Sequence, residues 1–200
     1  MKAFRFFACC VFTVFTSCIL LPLDVSAAAL TWSQATNAPN VPWYYVASSA
    51  DGSKLAGATS SGGIYTSADG GTTWVSNNIA PKSWRGIASS ANGNNLAATV
   101  NGGGIYFSID SGGTWQQAGA PSQTWGRIAC TPDGTKMVTQ GLGATGQRIY
   151  RSDNYGITWS QTASASRYWY SVATSTDGLK LAAVVWNVNA MYTSPDAGAT

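Results

Sequence analysis

Acid–base chemistry in this chain would have to come from aspartate, because the sequence holds no His and no Glu. Asp51, Asp133 and Asp177 each precede a glycine, and Asp69, Asp110 and Asp196 recur in stretches of the form S-x-D-x-G-x-T. Asp153 stands beside a third stretch of this kind, in which Asn154 takes the Asp position. Glycoside cleavage ordinarily needs two carboxylates flanking one bond, one of them kept protonated. These aspartates are instead spread singly through turn-like contexts. A Ser-His-Asp arrangement is excluded for want of His. A metal site lacks His, clustered carboxylates and paired Cys. No catalytic residue, metal or cofactor is assigned on these grounds.

Recognition chemistry is better represented. Trp43, Trp84, Trp125 and Trp169 have Tyr44, Arg85, Arg127, Arg167 and Tyr170 as close neighbours. Ring faces stack on sugar C–H surfaces or on cations, and guanidinium groups fork onto carboxylates or sulfates. These nine residues are therefore the candidate ligand-binding set. The competing assignment is that the four tryptophans pack between neighbouring repeats.

Those residues are positioned by a repeat. Trp32, Trp74, Trp115 and Trp159 are spaced 42, 41 and 44 residues apart, and the Trp43 series is spaced 41, 41 and 44. Two phase-locked tryptophan ladders are a signature of internal repetition. Each unit divides into four short runs, shown in the second by WRGIASS, LAATV, IYFS and a strand from Thr114. The first two runs are joined at Asp51-Gly52, Asn92-Gly93, Asp133-Gly134 and Asp177-Gly178, which predicts type I′ hairpins with positive φ at both residues. Four antiparallel strands in about 40 residues define a β-propeller blade. The expected fold is thus all-β, with blades at about 42–78, 83–119, 124–163 and 168–200. A lone strand at residues 30–34 is expected to complete the last blade, and the ring as a whole to be a fragment of a larger propeller.

The repeated box resembles the Asp-box, or bacterial neuraminidase repeat. Two copies match in full: Ser67, Asp69, Gly71, Thr73, Trp74 and Ser108, Asp110, Gly112, Thr114, Trp115. The third reads Ser152, Asn154, Gly156, Thr158, Trp159, and the fourth Ser194, Asp196, Gly198, Thr200. The repeat occurs in sialidases, sortilin-type receptors, xyloglucan-cleaving endoglucanases and photosystem II assembly factors, so the resemblance implies a fold and leaves the activity open. It also implies a box on the periphery of the blade, where the Asp closes an Asx-type turn. Sialidases use a Tyr nucleophile made basic by a Glu, together with an arginine triad. Arg85, Arg127 and Arg167 resemble such a triad, but the Glu and the Arg-Ile-Pro motif are missing here.

Residues 1–27 have a basic start, an apolar run and a Val25-Ser26-Ala27 cleavage pattern, as expected of a secretory signal peptide. Cys9, Cys10 and Cys18 would leave with it, and only Cys130 would remain. Of eleven Lys/Arg and eight Asp, Lys2, Arg5 and Asp24 fall in that segment, which leaves a net charge of about +2. That is too weak a basic balance to predict nucleic-acid binding. The resulting expectation is a secreted, non-catalytic module for glycan or another extracellular ligand, with no membrane span after cleavage. The alternatives are a piece of a glycoside hydrolase and a protein-interaction or assembly scaffold.

Overall fold

The computed structural model describes residues 32–142, 147–186 and 189–200. The expected signal segment lies outside them, as do Leu30 and Thr31 of the expected lone strand. Trp32 to Gln34 carry no strand, and Trp32 is fully exposed. They fall in a separate unit from Ala35–Thr200, which holds all the strands described below.

Four antiparallel sheets follow one another along the chain. The first contains β1 (Trp43–Ser48), β2 (Leu55–Thr59), β3 (Ile64–Ser67) and β4 (Val75–Ser76). The second contains β5 (Trp84–Ser89), β6 (Leu96–Val100), β7 (Ile105–Ser108) and β8 (Gln116–Gln117). The third contains β9 (Thr124–Cys130), β10 (Met137–Leu142), β11 (Ile149–Ser152) and β12 (Ser160–Gln161). The fourth has three strands, β13 (Trp169–Thr174), β14 (Leu181–Val185) and β15 (Met191–Ser194). Each is a simple meander, so every strand pairs with its sequence neighbour. The first strands β1, β5, β9 and β13 lie side by side from sheet to sheet. This is the blade arrangement of a β-propeller, with the first strand innermost.

The core lies between blades rather than within them. Ala56, Ala58 and Ile64 of the first blade pack with Trp84, Ile87 and Leu96 of the second. Ala97, Ile105 and Phe107 of the second pack with Trp125, Ile128 and Met137 of the third. Val138 and Ile149 of the third pack with Trp169, Val172 and Leu181 of the fourth. Small residues on the inner strands let these faces approach. At Gly86 an added Cβ would come within 3.2 Å of the Arg127 Cα.

The turns between first and second strands differ from the predicted type I′ geometry. Only the glycine has positive φ (Gly52 73°, Gly93 70°, Gly134 73°, Gly178 72°); the preceding Asp or Asn does not. Gly52 N–H donates to Ser49 O and Ser49 N–H to Lys54 O, which makes a wider loop. The Asp51 carboxylate fills that loop by accepting from the Ser49 hydroxyl at 2.6 Å and the Ser53 N–H at 3.0 Å. A side chain that caps the turn internally favours this longer form over a two-residue hairpin.

Candidate ligand rim and the repeated box

The box is built the same way four times. In the first, the Ser67 hydroxyl donates to Asp69 Oδ1 at 2.8 Å and accepts from Gly71 N–H at 2.8 Å. Asp69 then reaches four residues on, accepting from the Thr73 N–H at 2.8 Å and the Thr73 hydroxyl at 2.6 Å. Ser108, Asp110, Gly112 and Thr114 repeat this set, as do Ser194, Asp196, Gly198 and Thr200. In the third box Asn154 Oδ1 accepts the Thr158 N–H at 2.9 Å, and its Nδ2 donates to the Thr158 hydroxyl at 2.8 Å. The amide thus replaces the carboxylate by reversing one bond. The box glycines need φ between 82° and 91°, which only glycine adopts freely. Trp74 and Trp159 close the turn by donating Nε1–H to Gly71 O and Gly156 O.

These contacts fix the protonation of the aspartates. Hydrogen bonds from Thr73, first through its hydroxyl, lower the Asp69 carboxyl to about 2. The Ser194 and Thr200 hydroxyls do the same for Asp196, and Ser49 and Ser53 for Asp51, both at about 2. The Asp110, Asp133 and Asp177 carboxyls are lowered by equivalent donors. Asp153 pairs with Arg151 at 2.8 Å. A carboxylate whose acceptor sites are filled by its own turn stays ionised at neutral pH and cannot serve as a proton donor there. The Cys130 thiol is pushed up to about 11 by burial and by Asp133, which leaves it unreactive as a nucleophile.

The tryptophans that open the first strands are core residues. Trp84, Trp125 and Trp169 are 1%, 0% and 3% exposed, so their rings are closed to a ligand. Each ring instead meets, edge to face, the Tyr on the third strand of its own blade: Trp84–Tyr106, Trp125–Tyr150 and Trp169–Tyr192. Trp43, half-buried, meets Tyr65 edge to face and Trp74 at a tilt of 51°. The expectation that this ladder stacks on ligand is therefore corrected for the three buried rings. Their area is needed between blades.

A one-residue bulge immediately follows each of these tryptophans. Bulges re-aim side chains. Here they turn Tyr44, Arg85 and Tyr170 outward, and all three are exposed. In the third blade the bulge residue is Gly126, because the Gln140 side chain occupies the place of its Cβ (2.5 Å to Nε2). Arg127, one residue later, is the exposed group instead. Its guanidinium lies over the Tyr170 ring at 5.0 Å, and Nη2 donates to the Tyr170 hydroxyl at 3.3 Å. Arg167 does not join them. It covers Tyr192 at 4.5 Å, as Lys82 covers Tyr106 at 4.8 Å.

Sequence reasoning missed one member of this surface. Trp186 is 60% exposed, and its ring centre is 4.9 Å from that of Tyr170. It is the one tryptophan of nine that belongs to neither ladder, which was a signal available in the sequence.

The sheet arrangement and these inner strands define the chain as a β-propeller. No protein-family model matches the chain, and no curated protein does. Solved structures share the fold at low identity. A GH74 enzyme of Niastella koreensis is 20% identical with a TM-score of 0.64, over 79% of this chain and 23% of that one. Hydrazine synthase of Kuenenia stuttgartiensis is 15% identical with a TM-score of 0.63, over 82% of this chain and 49% of that one. YCF48 bound to a D1 peptide is 16% identical with a TM-score of 0.57, over 76% and 51%. The chain thus spans about half or less of the length of each structure it matches. Among the described residues, no helix is long and apolar enough to cross a membrane, and no group of three or more Cys or Asp could hold a metal.

Proposed function

We propose that this chain is a secreted, non-catalytic member of the Asp-box superfamily that binds acidic glycan through Tyr44, Arg85, Arg127, Tyr170 and Trp186. The observation that carries this reading is the Arg127–Tyr170–Trp186 stack. It holds a guanidinium over an exposed aromatic pair, beside the start of β13. A stacked arginine keeps its remaining N–H donors free to fork onto a carboxylate or sulfate, and the neighbouring rings supply a face for the sugar. Binding through these groups needs no cofactor.

The test is a titration of the chain with acidic and neutral oligosaccharides of matched length, read by calorimetry. Arg85→Ala combined with Arg127→Ala is expected to weaken acidic binding at least about tenfold, each lost charge-assisted bond contributing roughly 1.5–3 kcal/mol. Thermal stability should be unchanged. Equal binding by this double variant, or equal affinity for acidic and neutral ligands, would sink the reading.

A further inference from the structure

The three seams between successive blades are built from the same positions. In each, the residue before the second strand reaches across to the next blade. Lys54 Nζ donates to Asn94 Oδ1 at 2.6 Å, Asn95 Nδ2 to Asp133 O at 3.0 Å and Lys136 Nζ to Asp177 O at 2.6 Å. The third residue of the third strand faces the same seam as Thr66, Phe107 or Arg151, and Leu96, Met137 or Leu181 faces it from the next blade. What fills the space between them differs. In the second seam it is the Phe107 ring, 6% exposed and clustered with Met137. In the third, Arg151 donates from Nη1 to Ala197 O at 3.0 Å and pairs through Nη2 with Asp153 at 2.8 Å, which leaves about 10 Å³. In the first, Thr66 and Ala68 stand at the positions of Arg151 and Asp153, and a cleft of about 320 Å³ lies between them and Leu96.

The chemistry of this cleft is one-sided. Leu96, Val75 and Ala68 give it apolar walls, with Val75 at the exposed edge. Among the described residues, Lys54 is the only ionisable side chain that lines it. The Lys54 ammonium meets two neutral oxygens there, Asn94 Oδ1 and, at 3.1 Å, Ser111 Oγ. An ammonium has three donors, so one remains for a further acceptor. The third seam balances its guanidinium with the Asp153 carboxylate, whereas Ala68 at the same position of the first seam supplies none.

We propose that the cleft between the first and second blades binds a small free carboxylic acid with an aryl or alkyl body. The body takes the place that the Phe107 ring holds in the second seam, and the carboxylate accepts from Lys54. Apolar burial supplies the affinity, and the charge-assisted bond fixes which end of the ligand meets the lysine. A cationic ligand would be repelled by Lys54, and a purely apolar one would leave its third donor unanswered. The volume lies at the small end of ligand sites. The cleft is distinct from the aromatic and basic residues at the bulges, because it lies by Ser89, at the opposite end of β5 from Arg85.

The test is a titration of the full chain with phenylacetate and with its neutral isostere phenylacetamide, read by ligand-observed NMR. The parent should bind phenylacetate with a Kd on the order of 1 mM or tighter, as suits so small a ligand. Phenylacetamide should bind at least about tenfold more weakly, and Lys54→Gln should lower phenylacetate affinity by a similar factor with the melting temperature kept. Thr66 Oγ1 and Asn77 Oδ1 are bonded at 3.3 Å, and Phe107 and Ala118 hold their positions in the second blade. Thr66→Phe combined with Asn77→Ala therefore copies the second seam and should abolish binding. The Arg85→Ala, Arg127→Ala double variant should bind phenylacetate as the parent does. A parent that does not bind, equal affinity for acid and amide, an unaffected Lys54→Gln variant, or a loss in the Arg85, Arg127 variant would each overturn the proposal. So would binding of a peptide ending in Phe without binding of phenylacetate, which would make the occupant a protein.

Discussion

Two ends of the same repeat behave in opposite ways. At the box, four turns agree bond for bond: a serine hydroxyl takes the glycine N–H, and an Asp or Asn takes the N–H four residues on. At the bulge that opens the first strand, the four blades present Tyr44, Arg85, Gly126 and Tyr170, and no two successive blades agree. In both places the backbone repeats from blade to blade; only the demand on the side chain differs. A turn whose glycine N–H is buried, as at Gly71, constrains its sequence, because that donor must find an acceptor. A bulge aimed at solvent, as at Tyr44, Arg85 and Tyr170, sets no such constraint; Gly126, held against Gln140, is the exception. In this molecule what repeats is architecture, and what varies on a repeated backbone is the candidate for recognition.

That contrast can be broken by substitution. Trp125→Ala removes a fully enclosed ring from the second seam and should cost about 3–5 kcal/mol. Chemical denaturation would show it, and a loss below about 1 kcal/mol would mean that the ladder is not core. Ser108→Ala leaves the buried Gly112 N–H without its acceptor and should cost about 1–3 kcal/mol. The smallest expected effect is at Asp69→Asn, which copies the third box and should leave the melting temperature at pH 7 nearly unchanged. It should, however, alter the acid response. Asp69 has a folded-state pKa near 2, below the ordinary carboxylate value of about 4, so its stabilisation is complete above pH 4 and disappears as pH falls toward 2. The Asp69→Asn variant should therefore lose less stability than the parent between pH 4 and pH 2. A parallel loss in both proteins would show that the carboxylate is not the group that titrates.

The same contrast explains what the sequence disclosed. The Trp43 ladder and the box marked every blade, because packing and turn closure impose residue types at fixed intervals. The Asp-Gly pairs marked turns correctly but misled on their type, since the Asp side chain caps a longer loop. The rim was legible only in part. Arg85 and Arg127 look equivalent, yet they sit one residue apart in the repeat because Gln140 displaces a side chain at Gly126. Arg167 looked like the third of the series, but its guanidinium is taken by Tyr192. Such offsets depend on contacts from other strands, which no local pattern carries.

At the turns between first and second strands, Lys54 donates to Asn94, Asn95 to Asp133 and Lys136 to Asp177, and none of these bonds reaches beyond the adjoining blade. For the history of such a gene, that short reach means that a unit of about 40 residues can be duplicated or deleted whole. Each copy brings a donor and a turn able to accept, although the first link ends on the Asn94 side chain and the other two on backbone carbonyls. Divergence is then left to the few positions that face outward at the bulge.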